Sequence, residues 1–278
     1  MTAKLRKYTG GRSLICLALC LVFPPRLSAG PPSDMPQPCL TGIVSTVISG
    51  DRLVLDGKTV QLLDIKAPEY HEPDTAYTTW PHGAQSRAAL ADITNGKTVT
   101  ALCHEKALLP DGTPVVSLFT EDDTGNTVHI QQFLIKSGHA FVWPSSRNQV
   151  QLAVLYRLEE EARLQKKGLW ASEHYHPRQV PDDFLQAGRF MLVHGTVQSS
   201  QTVKATHYLN FGADWRKDFT AELPRRIWQD IPDGESFTGK NIEVRGWVDL
   251  RGGPRILVRN PYQIRLLNQP ANIEAKPD

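Results

Sequence analysis

Three strand-like runs separated by two tight turns occupy residues 39–65. The runs are "CLTGIVSTVI", "RLVLD" and "KTVQLLDI", and the turns are Ser49-Gly50-Asp51 and Asp56-Gly57. Apolar and β-branched residues dominate the runs, and an Asp-Gly pair between two such runs is a strong hairpin signal. The segment therefore predicts an antiparallel three-stranded meander.

Helical and strand-like patterns alternate after the meander. "HGAQSRAALADIT" predicts a helix that ends at Asn95-Gly96, and "KTVTALCHE" and "TPVVSLFT" predict two more strands. Two further helices are predicted up to Gly138 and Gly168. Their predicted buried faces comprise Ile130, Phe133 and Leu134 in the first, and Val150, Val154, Leu158 and Ala162 in the second. Five strands with three helices indicate a small barrel of the OB type with helices packed against it.

A second strand-rich region follows residue 187. Three strands, the short helix "PRRIWQDI" and two more strands follow one another, with Gly195 and Gly246 inside strands. Mid-strand glycines mark bends or close backbone approaches, as in a five-stranded Greek-key barrel. We therefore expect an α+β protein, mainly β, with a second OB-type barrel after the first.

The first 29 residues have the composition of a signal peptide. Four basic residues precede the apolar run "LICLALCLVF", and small residues lie near Ala29. The run has about half of the roughly 20 apolar residues that a membrane span needs, so we expect no stable membrane insertion after cleavage. Export to the periplasm or the medium follows from this interpretation.

The predicted organisation has six parts. A signal peptide (1–29) and a flexible proline-rich leader (30–38) precede the first barrel (39–175). A linker (176–187), the second barrel (188–268) and a flexible tail (269–278) follow.

The charge of the chain is unevenly distributed. Five of the 31 basic residues and none of the 29 acidic residues precede residue 30. The remainder has three more acidic than basic residues, which gives no overall electrostatic attraction for a polyanion.

Two cysteines remain after the predicted cleavage, Cys39 and Cys103. In a compartment that permits disulfides we expect them to pair. The alternative is two buried thiols.

The stretch "VSTVISGDRLVLDGKTVQLLDIKAPE" resembles the staphylococcal nuclease-like, or thermonuclease, family. That family's pattern runs Asp-Gly-Asp-Thr and then Arg-Leu-x-Gly-Ile-Asp-Ala-Pro-Glu, and the resemblance covers roughly residues 39–175. It implies an OB-type barrel that hydrolyses phosphodiester bonds in DNA and RNA, generally with calcium. Such a site uses acidic metal ligands, a glutamate acting on water and two arginines on the phosphate.

The resemblance places Asp51 at a calcium position and Glu69 at the general-base position. Other positions depart from the pattern: Ser49 for the first aspartate, Arg52 for threonine, Gln61 and Thr113 for the two arginines, Asp64 for glycine and Lys66 for the second acidic metal ligand. An ammonium at Lys66 repels a divalent cation. We therefore interpret Asp51 and Glu69 as vestigial and expect no cofactor.

The alternative is an active calcium-dependent nuclease with a rearranged site. The period-two rule for strands predicts that Asp64 and Lys66 point to the same side, which permits a salt bridge or a new ligand set of Asp51, Asp64 and Glu69. Arg52 or His71 would then replace a missing arginine.

The last 34 residues of the chain contain basic residues interleaved with aromatics, which on an OB face can bind single strands. We expect substrate contacts from Arg245, Arg255, Arg259 and Trp247. The alternative is that Trp247 belongs to the core and the arginines only solubilise. The sequence thus predicts an exported, nuclease-like pseudoenzyme that binds single-stranded nucleic acid or an envelope protein.

Overall fold

A computed structural model describes residues 37–72, 78–181, 185–231 and 237–267. The predicted signal peptide, most of the leader and the predicted tail lie outside the described residues. Gln37 and Pro38, which we assigned to the leader, belong to the first strand instead.

The first half of the described chain contains eight strands and three helices. They are β1 (Gln37–Ser49), β2 (Arg52–Leu55), β3 (Lys58–Leu62), β4 (Ile65–Lys66), α1 (Gly83–Thr94), β5 (Thr98–Leu108), β6 (Pro114–Glu121), β7 (Thr127–His129), α2 (Ile130–Lys136), β8 (Phe141–Val142) and α3 (Gln149–Leu164).

Five of these strands close the first barrel. β1 pairs with both β2 and β5, β3 pairs with β2 and in parallel with β6, and β5 pairs with β6. The ring order is therefore β1-β2-β3-β6-β5, as in an OB barrel. Asp56 and Gly57 have φ values of 49° and 70°, which is the left-handed geometry that a tight hairpin requires.

The second half of the described chain begins within the predicted linker. Two short 3-10 helices, Gly168–Ala171 and Glu173–Tyr175, precede the second half. They are followed by β9 (Arg178–Gln179), β10 (Phe190–Thr196), β11 (Ser199–Val203), β12 (Thr206–Asn210), β13 (Thr220–Pro224), α4 (Arg225–Gln229), β14 (Asn241–Asp249), β15 (Arg255–Leu257), a 3-10 turn at Pro261–Gln263 and β16 (Ile264–Leu266). The predicted linker thus contains β9, which pairs in parallel with β10.

The second barrel repeats the ring order of the first. β12 pairs with β11 and β13, β13 pairs in parallel with β15, and β14 pairs with β15 and β10. Only Val197 and Gln198 separate β10 from β11, so this continuous segment closes the ring. A Cβ at Gly246 would lie 2.6 Å from Ile256, which explains a glycine inside β14. The expected α+β class with two OB-type barrels is confirmed.

The two barrels pack against each other through an aromatic core. The ring of Phe141 lies 5.3 Å from Trp170, 5.1 Å from Tyr175 and 5.3 Å from Phe190, measured between centroids. Phe141 lies on β8 and Phe190 on β10, so residues of both barrels form one buried cluster. The expected disulfide is also present, because Cys39 on β1 is bonded to Cys103 on β5.

Candidate functional site

The Lys66 ammonium lies between two carboxylates at the end of the first barrel. Its Nζ is 3.3 Å from Glu69 Oε1 and 3.7 Å from Asp51 Oδ2. Lys66 is the last residue of β4, and Ala67 and Pro68 then place Glu69 on the following loop. One positive charge therefore bridges the two acidic positions that the resemblance singled out.

Asp51 is buried and held by neighbouring donors. Its Oδ1 accepts a hydrogen bond from Ser49 Oγ at 2.7 Å, and its Oδ2 accepts one from the Ala67 amide at 3.0 Å. A Cβ at Gly50 would lie 2.7 Å from the Cβ atoms of Ala67 and Ser86, so only glycine lets this turn approach so closely. Both Asp51 oxygens already have protein partners.

Glu69 has a second neighbour in His71. Glu69 Oε2 lies 3.5 Å from His71 Nε2, and the Glu69 carbonyl accepts a hydrogen bond from the Trp80 amide at 2.8 Å. The Glu69 carboxylate thus lies between an ammonium and an imidazole. Its main chain is fixed by the loop that precedes α1.

Arg52 reaches the place where the resemblance expects the two arginines. It is the cross-strand neighbour of Gln61, and its Nη2 donates to Thr113 Oγ1 at 2.9 Å and to Asp111 Oδ2 at 3.1 Å. Hydrogen bonds from Thr113, together with Arg52, hold the pKa of Asp111 below its ordinary value. One guanidinium therefore occupies the region of two missing ones, and Asp111 partly neutralises it.

Asp64 does not lie on the same side as Lys66, so that expectation was wrong. Asp64 has a φ of 61°, and the alternation of side chains along a strand does not extend through such a left-handed residue. Its Oδ1 accepts from the amides of Ser145 and Ser146 at 2.8 and 2.7 Å, and its Oδ2 accepts from Ser146 Oγ at 2.6 Å. Asp64 anchors the loop before α3.

These residues do not fit a divalent cation. The Lys66 ammonium lies where a cation bridging Asp51 and Glu69 would bind, and Asp64 is bonded to serines. Among the described ranges, no group of three or more His, Cys, Asp or Glu side chains is arranged to hold a metal ion. Calcium needs six to eight oxygen ligands, which this arrangement does not supply.

Arg245 is fully buried, which corrects its assignment to a ligand-binding face. Its guanidinium donates to both oxygens of Glu159 on α3 and to the Val142 carbonyl, and it is paired with Glu243. Burial alone would raise the pKa of Glu243, but Arg245 and Arg163 beside it hold that pKa well below its ordinary value. This ionic cluster joins the barrels.

The other three predicted contact residues do not share one face with Arg245. Arg255 on β15 is partly buried and donates hydrogen bonds to Glu222 on β13 and Asp249 on β14. Arg259 is exposed. Trp247 is 40% exposed and lies edge-on to Trp80 of the first barrel, with 5.5 Å between ring centroids.

Trp247 belongs to a strip of aromatic rings that crosses from one barrel to the other. We call this set, which comprises Trp80, Trp143, Phe190 and Trp247, the aromatic strip. Phe190 contacts Trp143 at 5.4 Å and Trp247 at 6.1 Å between centroids. The strip begins next to the Lys66 ion pairs, because the Trp80 amide is bonded to the Glu69 carbonyl. Trp80 and Trp143 lie outside the motifs from which site residues were predicted.

A match to a family model defines the class of the first domain. Residues 59–172 match the model of the staphylococcal nuclease homologue family. The match supports a staphylococcal nuclease-like assignment for this part of the chain, and the resemblance drawn from the motifs is confirmed.

A curated relative agrees with that assignment. The chain is 28% identical over 134 residues to a protein of Escherichia coli O157:H7 named as an uncharacterized endonuclease; the match covers 47% of this chain and 76% of the relative. In the part of the chain that the structure describes, no helix is long and apolar enough to cross a membrane.

Proposed function

We propose that this nuclease-family protein binds single-stranded nucleic acid and does not hydrolyse it by the calcium-dependent route of its family. The observation that carries the proposal is the position of the Lys66 ammonium, 3.3 Å from Glu69 and 3.7 Å from Asp51. A cation at this point would meet a like charge, and each of the two carboxylates already has the Lys66 ammonium within 4 Å. Family membership and the relative's name, endonuclease, support nucleic acid as the ligand.

The loss extends to the groups that would stabilise the transition state. Hydrolysis builds negative charge on the phosphate, and removing one preorganised donor commonly costs about 10²- to 10³-fold in rate. Arg52 is the guanidinium near Gln61 and Thr113, and it is bonded to Asp111 and Thr113. The site therefore has neither the family's second acidic metal ligand, which Lys66 replaces, nor the arginines that Gln61 and Thr113 replace.

The aromatic strip supplies the contact surface. Stacking of unpaired bases on exposed indoles contributes about 1–3 kcal/mol per base and tolerates any sequence. Trp247 is 40% exposed, and Trp80, whose amide is bonded to the Glu69 carbonyl, is half-buried. A strand that stacks on the strip would lie along the junction of the barrels. Arg259 is an exposed cation of the second barrel, and its neighbour Asn260 donates a hydrogen bond to the Ser146 carbonyl before α3.

We further propose that the protein is exported to the periplasm or the medium. The basic and apolar pattern of residues 1–29 supports this location. The disulfide between Cys39 and Cys103 is consistent with an oxidising compartment. A partner protein in the envelope is the competing ligand.

A cleavage assay and a binding assay test the proposal together. Fluorescent 20-nucleotide DNA and RNA strands are incubated with the protein beginning at residue 30, with calcium or with chelator, beside Glu69→Gln. We expect no calcium-dependent cutting and a rise in fluorescence anisotropy that weakens as salt increases. Trp247→Ala should weaken binding about tenfold, whereas Trp215→Ala, which removes an exposed indole outside the strip, should not. Chelator-sensitive cutting that disappears in Glu69→Gln would overturn the first half of the proposal, and absence of binding at low salt would overturn the second.

A further inference from the structure

Two histidines that the proposed function does not use face each other between the start of α1 and the end of α2. His82 directly precedes α1, and His139 follows Gly138 after α2. His82 Nε2 lies 3.0 Å from His139 Nδ1, which is hydrogen-bond distance. Both residues are half-buried. One imidazole therefore donates to the other at a place that solvent partly reaches.

The two imidazole rings meet edge to edge. Their planes differ by 17°, and their centroids are 5.0 Å apart. The centroids are farther apart than the facing nitrogens by nearly two ring radii, so both nitrogens lie close to the line between the ring centres. A ring nitrogen donates or accepts in the plane of its ring. The two facing nitrogens therefore point at each other across one short gap.

His82 has a backbone conformation that its place in the helix does not explain. Its φ is 68°, in the left-handed region that residues other than glycine rarely adopt. It is the N-cap residue of α1, yet its side chain makes no capping hydrogen bond, whereas Ser, Thr, Asp and Asn are favoured there because they cap. Strained backbone of this kind costs free energy and clusters at functional sites. At His82 it accompanies a side chain that bonds to His139 instead of capping the helix.

Neighbouring residues fix the main chain on both sides of the pair. Tyr175 Oη donates a hydrogen bond to the carbonyl of Pro81, directly before His82. The His139 amide donates to the Leu134 carbonyl at 2.8 Å. The two rings are therefore held opposite each other before any ligand arrives, which lowers the entropic cost of binding one.

We propose that His82 Nε2 and His139 Nδ1 bind one monovalent copper ion, Cu(I), between them. Imidazole is a copper ligand, and two opposed nitrogens match the linear, two-coordinate geometry of a d¹⁰ cation. Bonds from a metal to imidazole nitrogen are about 2.0 Å long, so each ring has to move back by about 0.5 Å from the present 3.0 Å contact. Neutral imidazoles bind with no net release of protons, because the shared proton moves to the outer nitrogen of its ring.

The same geometry disfavours a divalent ion. Zn(II) takes four tetrahedral ligands, whereas the pair supplies two opposed ones. Across the described ranges, no group of three or more His, Cys, Asp or Glu side chains is arranged to hold a metal ion. Cys39 and Cys103 are bonded to each other, so neither offers a thiolate that would compete for Cu(I).

Competition with the Cu(I) chelator bicinchoninate tests this in the absence of nucleic acid. The protein beginning at residue 30, which omits Cys16 and Cys20, is titrated under argon into the coloured copper complex. We expect the loss of absorbance to show transfer of one copper ion per chain. His82→Asn should abolish the transfer. Asparagine tolerates a left-handed backbone and caps helices, so this variant should keep the wild-type melting temperature.

Two further variants complete the test. His139→Gln should also abolish the transfer, because it removes the second nitrogen ligand. His176→Gln is the matched control, since it removes an exposed imidazole outside the pair, and it should take up one copper ion as the wild type does.

Three outcomes would overturn the proposal: the wild type takes no copper from the chelator, His82→Asn or His139→Gln takes as much as the wild type, or an equal concentration of Zn(II) displaces the copper. The inference is independent of nucleic-acid binding at the aromatic strip, because the assay contains no nucleic acid and its variants leave Trp247 unchanged.

Discussion

Arg245 of the second barrel donates hydrogen bonds to both carboxylate oxygens of Glu159 in the first barrel, at 3.0 and 2.8 Å. Both side chains are fully buried, and the Tyr156 ring lies 4.6 Å from the guanidinium carbon. Burial opposes the charge on Arg245, yet Glu159 and the other groups around it raise its pKa well above the ordinary value. This buried ion pair thus joins the two barrels. Removing either side chain would leave the other charge buried without a partner.

Replacing Arg245 by leucine should destabilise the whole protein. The substitution leaves Glu159 and Glu243 buried without their main counter-charge, and breaking a buried pair from one side commonly costs about 3–5 kcal/mol. Urea denaturation followed by circular dichroism measures the free energy of unfolding. We expect the free energy of unfolding to fall by about 3–5 kcal/mol, and the urea midpoint to fall with it.

Arg259→Leu is the matched control for this substitution. It removes an exposed arginine from the same barrel, so the free energy of unfolding should change by less than about 0.5 kcal/mol. Equal losses in the two variants would show that the buried pair carries no special weight.

Restoring a carboxylate at position 66 should create a calcium site. In Lys66→Asp the ammonium between Asp51 and Glu69 is gone, and three carboxylates converge. We expect the wild type to show no saturable calcium binding, and the variant to bind with a dissociation constant of about 0.1–1 mM. Terbium luminescence and calorimetry both report the site.

Lys136→Asp provides the same change of charge on the exposed end of α2. It should leave calcium binding at the wild-type level. Saturable binding by the wild type, or none by Lys66→Asp, would mean that the Lys66 ammonium does not control the site.

Residues near in sequence were sufficient to predict the strands of the barrel, but not the faces of its helices. The turn at Asp56-Gly57 predicted the hairpin of β2 and β3, whereas the β1–β5 and β3–β6 pairings that close the ring join residues far apart in sequence. On α3 the predicted face included Val150, which is 78% exposed, and it omitted Glu159, which is fully buried. On α2 it included Phe133, which is 37% exposed.

The reason is that α3 packs against two partners. A glutamate on a helix predicts a solvated face. Glu159 is buried because it pairs with Arg245, a residue 86 positions later in the sequence. Asp64 was mispredicted for a local reason, because strand periodicity does not show which residue adopts a positive φ. The departure at Lys66 was visible in the motif, whereas its two ion pairs depend on the folded loop.

Opening the disulfide should destabilise the first barrel. Cys39 and Cys103 are 64 residues apart, and a cross-link that closes a loop of this size stabilises by roughly 4 kcal/mol through the entropy of the unfolded chain. The protein should therefore melt at a lower temperature in the presence of a reducing agent. Calorimetric scans with and without reductant measure the shift.

The double variant Cys39→Ser/Cys103→Ser is the control for this effect. It should melt near the temperature of the reduced wild type and should not respond to reductant. If reductant also lowered the melting temperature of the double variant, the effect of reductant would not come from this disulfide.

Acid should destabilise the protein through buried histidines, with His129 the clearest case. His129 caps α2, since its Nδ1 accepts from the Gln132 amide, and its ring packs edge-on against Phe119. Burial lowers the pKa of His129 to about 4, against about 6.5 in an unfolded chain. The unfolded state therefore binds a proton between pH 6.5 and pH 4 that the folded state does not. The associated stability is fully present above pH 6.5 and is lost as the pH falls toward 4.

His129→Asn separates this titration from the loss of packing. Asparagine keeps a side-chain acceptor for the Gln132 amide but carries no titratable group. The variant should be less stable than the wild type at pH 7, yet should lose less stability between pH 6.5 and pH 4, by up to roughly 3 kcal/mol. His82 and His207, whose pKa values burial also lowers to about 4, keep a residual pH dependence in the variant. Parallel pH profiles of the free energy of unfolding in the two proteins would show that His129 titrates alike in the folded and unfolded chains.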